Sequence, residues 1–245
     1  MTRRRRGGNA PPAAAASSRP GSRGVCGHDA GASHPAPGVV LDAMGVLYQP
    51  PDDVADLLIP FARQRGCTTP DGEITALYFD ASMGLLRSAE LWSRLGIAGA
   101  GEALDREFVA AYSLTEGAGD FLQWCAASRV RVACISNDLS EWAVARARHF
   151  GLLGLINPWT ISGDVGERKP QEAIYDAFVS RSDVTGPCIF VDDRIANVRA
   201  AASLGMRGVL FGAGSIAPGR GVLAATDFPA LARLVEGMRG SLSAP

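Results

Sequence analysis

The chain has 245 residues, 47% hydrophobic and 20% charged, with a formal net charge of −1. That length allows one sizeable core, or one core with a small appended unit. A pI near 6.3 supplies no global field toward nucleic acid or a membrane surface, and no apolar run approaches the ~18 residues that a spanning helix needs.

Residues 1–37 are low-complexity, an Arg3-Arg4-Arg5-Arg6 cluster followed by Ala, Pro, Ser and Gly. They lack the bulky apolar residues a core requires, so a disordered tail is expected. Residues 13–18 are too short and too weakly apolar for the hydrophobic region of a secretion signal. Val39-Val40-Leu41 reads as a buried strand, with Asp42 at its carboxyl end and Gly45 free to turn the chain away. Pro50-Pro51-Asp52 then breaks the chain. Over 52–117 the pattern is helical, with apolar residues recurring at Val54, Leu57, Leu58 and Phe61, then at Ile74, Leu77, Tyr78 and Ala81. A third helix ends at Gly96, and Phe108, Ala111 and Tyr112 mark a fourth.

From 118 to 240 the periods alternate. Strands are expected at 131–135, 159–163, 188–191 and 208–211, and helices from Asp120 and over 139–150, 171–179, 196–204 and 229–238. Alternating strands and helices predict an α/β fold, a Rossmann-like doubly wound parallel sheet. The core would comprise 38–51 and 118–240, with an all-helical insertion at 52–117.

The five cysteines, Cys26, Cys67, Cys125, Cys134 and Cys188, show no CxxC spacing, a usage that suggests a reducing, cytoplasmic setting. The histidines, His28, His34 and His149, lie in the tail or at a helix end, which argues against a histidine-based site. Among 24 Lys and Arg residues, Lys169 is the only lysine. Arginine is a broad planar fork and lysine a point charge on a thin stem, so the retained lysine marks a crowded position.

Reactive residues follow consecutive strands: Asp42, then Ser136-Asn137, then Lys169, then Asp192-Asp193. In a parallel sheet these carboxyl ends share one edge, and the residues converge there. Three carboxylates meeting in a partly buried crevice repel one another. A hard divalent cation resolves that repulsion, and oxygen-only ligands select a magnesium-like ion. Lys169 and the Ser136 hydroxyl supply positive potential and hydrogen bonding for an anionic group, the equipment for attack by Asp42 on phosphorus.

This pattern resembles the haloacid dehalogenase-like (HAD) hydrolases. The matching pieces are Asp42 in Leu41-Asp42-Ala43-Met44-Gly45-Val46-Leu47, Ser136 in Ile135-Ser136-Asn137, Lys169 before Pro170, and Val191-Asp192-Asp193-Arg194-Ile195-Ala196-Asn197. The insertion at 52–117 looks like the family's C1 cap. The resemblance implies that Asp42 is the nucleophile and a magnesium ligand, and that Met44 lends its backbone carbonyl to the metal. Ser136, Asn137 and Lys169 would bind the phosphoryl group, with Lys169 also pairing Asp42. Asp193 would bind the metal directly, Asp192 would bind or support it, and Asn197 would orient that loop.

Met44 departs from the pattern. Phosphatases of this family usually carry a second aspartate there, as acid toward the leaving group and base toward water, and a thioether does neither. General acid–base help is commonly worth ~10²–10⁴ in rate, so a phosphatase built this way should be slow. The family's phosphonate hydrolases need a cap lysine, which composition excludes. Its haloacid dehalogenases share an Asp-Ala-aromatic-Gly opening that Asp42-Ala43-Met44-Gly45 partly echoes, but their last motif normally lacks paired acids. The expectation is a magnesium-dependent phosphatase acting on a small-molecule phosphate ester through an aspartyl-phosphate, with no nucleic-acid or membrane partner. A dehalogenase-like hydrolase and a catalytically weak phosphometabolite-binding protein are the alternatives.

Overall fold

A computed structural model describes residues 38–182, 188–212 and 219–242; the tail expected over 1–37 lies outside them. The first strand, β1 (Gly38–Leu41), is buried along its whole length, and the chain turns back after it into β2 (Tyr48–Gln49). A single π-helical turn, Val54–Leu58, runs into α1 (Ile59–Gln64). Then come α2 (Asp71–Ser82), α3 (Ser88–Arg94), α4 (Gly101–Val109) and a short strand β3 (Ser113–Leu114). The insertion is therefore not purely helical: β3 pairs antiparallel with β2, a two-residue ribbon at its base. Two-residue strands carry no period, so pattern reading passes over them. The fourth helix also stops at Val109, leaving Ala111 exposed outside it while Tyr112 stays buried.

The alternating part comprises α5 (Ala118–Ala127), β4 (Val132–Ser136), α6 (Ser140–His149), β5 (Trp159–Ile161), α7 (Ser162–Val165) and α8 (Glu172–Arg181). It continues through β6 (Cys188–Asp192), α9 (Ile195–Ser203), β7 (Arg207–Phe211), β8 (Leu223–Ala225) and α10 (Phe228–Leu242). Six strands form one sheet in the order β5-β4-β1-β6-β7-β8, every pair parallel. The strand expected over 159–163 ends at Ile161, because Ser162 turns the chain into α7. Its hydroxyl donates to the Ser82 carbonyl at 2.5 Å and accepts the Asp138 N–H at 2.9 Å.

Strand residues alternate between two apolar layers. Val40, Ala133, Ile135 and Phe190 pack against Ile174, Tyr175 and Phe178 of α8 and Ala201 of α9. Val39, Leu41, Cys134, Ile189 and Val191 face a larger layer that continues into the insertion. The parallel doubly wound sheet read from the sequence is thus the one observed. From β1 the chain proceeds outward to β4 and β5, then returns to β6 on the other side of β1. That reversal opens a crevice at the carboxyl ends of β1, β4 and β6. No described helix is long and apolar enough to cross a membrane.

One buried carboxylate ties the insertion to the core. Asp105 on α4 accepts hydrogen bonds from the Ser88 hydroxyl at 2.7 Å and from the indole N–H groups of Trp92 at 2.8 Å and Trp142 at 2.7 Å. Trp92 belongs to α3 and Trp142 to α6, and both are fully enclosed. Replacing Asp105 by alanine strands three buried donors, each costing ~1–3 kcal/mol. Asp105→Ala should therefore lower stability by about 3 kcal/mol or more, read from the urea unfolding midpoint; a loss within experimental error would contradict this role.

Candidate active site

Asp42 is the first residue past β1, anchored by its N–H to the Val191 carbonyl at 2.8 Å. Its Oδ1 accepts the Ala43 N–H at 2.6 Å and lies 2.6 Å from the Lys169 Nζ. Lys169 comes from the loop between α7 and α8. Asn137, at the end of β4, clasps its backbone from both sides: Oδ1 accepts the Lys169 N–H at 2.7 Å, and Nδ2 donates to the Lys169 carbonyl at 3.0 Å. The ammonium spends its three protons on Asp42 Oδ1 at 2.6 Å, Asp192 Oδ2 at 2.8 Å and the Ile135 carbonyl at 2.8 Å. Burial alone would discharge it, but Asp192 and Asp42 outweigh that and raise its pKa.

The two consecutive aspartates differ in engagement. Asp192 closes β6 fully buried, with Oδ1 accepting from the Arg194 N–H at 2.8 Å and from Asn197 Nδ2 at 3.1 Å. Its Oδ2 accepts from Lys169 and from the same Asn197 amide at 3.0 Å. Asp193 has a buried Oδ1 with no partner among the described residues. Its carboxylate sits where a Cβ on Gly45 (φ +77°) would collide with it, so the turn after Asp42 requires glycine twice over. Oxygen atoms of Asp42, Asp192 and Asp193 lie within 4.8 Å of one another. Burial and then the Asp192 charge push Asp42 well above the carboxylate range and Asp193 up to about 6.

Met44 is buried beside Asp42. The bridge between Met44 and Tyr48 is made by its neighbours, the Ala43 carbonyl and the Gly45 N–H. Ser136 ends β4 with a buried hydroxyl that has no partner among the described residues. Asp42, Ser136, Asn137, Lys169, Asn197 and Met44 all border one cavity of about 290 Å³. Asp192 stands behind Lys169, and Asp193 beside Gly45.

Sequence reasoning missed the rest of this cavity. Arg168 and Arg194 enter from the core, while Val54, Ile59, Tyr78 and Phe79 enter from the insertion. The Tyr78 hydroxyl donates to the Asn137 carbonyl at 3.3 Å, joining α2 to the loop that clasps Lys169. Adjacency to Lys169 and Asp193 was the one available signal for the two arginines; no period brings α2 to the sheet edge. A larger cleft of about 720 Å³ is bordered by Arg87, Glu141 and Arg148 but by none of the strand-end residues.

The sequence model for haloacid dehalogenase-like hydrolases matches residues 37–205. Among solved structures, a HAD phosphatase from Thermococcus onnurineus superimposes with a TM-score of 0.64 at 16% identity, covering 82% of this chain and 98% of that one. A HAD family enzyme from Bacteroides thetaiotaomicron, a variant in complex with magnesium and inorganic phosphate, gives 0.60 at 18% identity over 74% and 96% of the chains. The L-2-haloacid dehalogenase of Xanthobacter autotrophicus, with chloropropionic acid covalently bound, gives 0.56 at 18% identity over 82% and 98%. At such identities the likeness is one of fold. A curated relative, drimenol cyclase drtB of Aspergillus calidoustus, is 44% identical over 69 residues, 24% of this chain and only 13% of that protein's length.

Removing the ammonium would leave Asp42 and Asp192 buried without their counter-charge, which typically costs ~3–5 kcal/mol. Lys169→Met should lose that much stability near neutral pH without added metal, measured by urea unfolding. A carboxylate whose pKa is raised in the fold destabilises above that pKa and is relieved as pH falls through it. The deficit should therefore shrink in mild acid; one that grew there would contradict the pairing.

Proposed function

The chain belongs to the haloacid dehalogenase-like hydrolases, and from that premise we propose that it is a magnesium-dependent phosphatase acting on a small phosphorylated compound through an aspartyl-phosphate on Asp42. The observation that carries the proposal is the orphaned Asp193 Oδ1 in a cluster of three carboxylates beside a lysine-paired Asp42. An all-oxygen donor set of this charge suits a hard cation such as Mg²⁺. Asp42, Asp193 and the Met44 backbone carbonyl would hold it, while Asp192, with both oxygens engaged, would steady the loop. When bound, the ion neutralises charge on the carboxylates and on the transferring phosphoryl oxygens.

The residues divide the remaining work. Asp42 attacks phosphorus with the oxygen not held by Lys169, and Lys169 offsets charge as the phosphoryl group arrives. The Ser136 hydroxyl, lacking a partner among the described residues, donates to a phosphoryl oxygen. Asn137 keeps Lys169 in register and offers its remaining backbone group to the phosphate. The insertion, 52–117, acts as a C1-type cap over a core of 38–51 and 118–240, and its apolar side chains keep bulk water from the acyl phosphate. Met44 slows protonation of an alkoxide leaving group and activation of water. A dehalogenase-like reaction has no use for the Asp192-Asp193 pair, which favours the phosphate reading. Cys67, Cys125, Cys134 and Cys188 are buried and form no disulfide among the described residues, in keeping with a reducing, cytoplasmic setting.

Magnesium should raise the melting temperature of the protein by preferential binding to the folded state, by about 5 °C or more at a hundredfold excess over Kd. Asp193→Asn should lose most of that rise and melt no lower than wild type without metal, because the carboxylate it replaces is unfavourably charged in the fold. A wild-type melting curve indifferent to magnesium would count against the metal site. Lys169→Arg keeps the charge but not the shape; it should abolish magnesium-dependent hydrolysis of p-nitrophenyl phosphate, and near-wild-type turnover would contradict the role of Lys169.

A further inference from the structure

Beyond Lys169, the cavity lining holds two guanidinia, and its charged side chains are Arg168, Lys169 and Arg194 against Asp42, Asp52 and Asp53. Lys169 already balances Asp42 and Asp192. Arg168 and Arg194 border the same space, and among the described residues neither guanidinium forms an ion pair. Arg168 donates to the Ser82 hydroxyl and lies 5.8 Å and 4.7 Å from the ring centres of Tyr78 and Phe79. Asp53 attracts it without contact, its Oδ2 being taken by the Tyr112 hydroxyl at 2.9 Å. Burial lowers the Arg168 pKa, Tyr78 and Asp53 raise it, and the repulsion between the two guanidinia, a smaller effect, lowers it again. An anion between them would relieve that repulsion, and paired arginine forks suit a phosphate's geometry.

A second observation concerns the leaving group. Met44 occupies the wall beside Asp42 and has no proton to give, and Asp53 on the same cavity has its Oδ2 engaged by the Tyr112 hydroxyl. A poor leaving group such as an alkoxide would therefore depart with no acid at the Met44 position. A phosphate leaving group, with a second pKa of ~6, departs without a proton. Resting on the phosphatase reading above, we propose that the substrate is a diphosphate monoester cleaved at its terminal phosphorus, with Arg168 and Arg194 holding the phosphate that departs. In the first step Asp42 Oδ bonds to the terminal phosphorus and the bond from that phosphorus to the bridging oxygen breaks. The bridging oxygen keeps the electron pair and leaves as part of a monophosphate dianion. In the second step a water oxygen attacks the same phosphorus, the bond to Asp42 breaks, and Asp42 returns as carboxylate. Both protons of that water end on the released inorganic phosphate, so no outside acid or base enters the balance. Val54, Ile59 and Phe79 from the insertion border the same cavity and suit an apolar organic group.

The test compares kcat/KM for isopentenyl diphosphate, isopentenyl phosphate, phosphoglycolate and p-nitrophenyl phosphate, with magnesium in excess, in wild type, Arg168→Ala and Met44→Asp. Isothermal titration with methylenediphosphonate and methylphosphonate gives a readout independent of turnover. The diphosphate should exceed the matched monophosphate by about 10²-fold or more, the usual worth of the missing acid. Arg168→Ala should cut the diphosphate rate at least ~10-fold more than the aryl phosphate rate and weaken methylenediphosphonate more than methylphosphonate, the loss of one charge-assisted pair. Met44→Asp should raise kcat/KM for isopentenyl phosphate selectively, since the water step it also assists is common to all the substrates. Hydrolysis of p-nitrophenyl phosphate with no diphosphate advantage would overturn this inference alone. Preference for phosphoglycolate over the diphosphate would overturn it in favour of a carboxylate between the arginines. No turnover of p-nitrophenyl phosphate would overturn the phosphatase reading and this inference with it.

Discussion

The Lys169 ammonium, held between Asp42 and Asp192, is the interaction on which the site depends. Buried carboxylates within a few ångströms of one another are strongly unfavourable unless paired and hydrogen-bonded. Here one ammonium touches two of them and donates its last proton to the Ile135 carbonyl. Arginine offers five donors in a rigid plane, too many and too broad for a pocket that presents three acceptors around one nitrogen. That is a physical reason for a chain otherwise committed to arginine to keep one lysine. Asp193 is left outside the pairing, its Oδ1 without a partner among the described residues, and burial and the Asp192 charge push its pKa up to about 6.

Everything around this pairing serves to hold it. The sheet reverses direction at β1, which brings the ends of β1, β4 and β6 to one edge. Asn137 fixes the Lys169 backbone, and Asn197 fixes Asp192. The insertion is bound to that frame at several places: Asp105 reaches Trp142, Tyr78 reaches Asn137, and Ser162 reaches Ser82. Nearby, the buried pair Arg146–Asp138 sets the start of α6, with the Arg146 guanidinium 4.4 Å from the centre of the Tyr112 ring. Side chains that close the cavity and side chains that do the chemistry are therefore coupled through short polar contacts.

Much of this was legible in the residue pattern, for a physical reason. Buried parallel strands are short continuous apolar runs, and the polar residue ending each run marks the ligand edge of the sheet. Asp42, Ser136, Asn137, Asp192 and Asp193 could be read that way, while Lys169, in a loop well past β5, stood out as the only lysine. Elements that escaped carry no period: the ribbon of Tyr48–Gln49 with Ser113–Leu114, and the edge strand Leu223–Ala225. Pairings between distant side chains escaped too. Nothing in the spacing of Ser88, Trp92, Asp105 and Trp142 announces that one carboxylate serves three donors, since the contacts cross three helices. Arg168 and Arg194 looked like two of many arginines until the fold brought both to one cavity. The residue pattern places Asn137 at the phosphate, and it does not announce that the side chain also grips the Lys169 backbone.

The central claim is that Asp42 attacks phosphorus and carries the phosphoryl group. Acid quenching during steady-state turnover of p-nitrophenyl phosphate with magnesium, followed by peptide mass spectrometry, tests it most directly. The expected result is a phosphoryl group on the peptide containing Asp42, localised to that residue and missing in Asp42→Asn. A phosphoryl group on Ser136 instead, or undiminished turnover in Asp42→Asn, would contradict it.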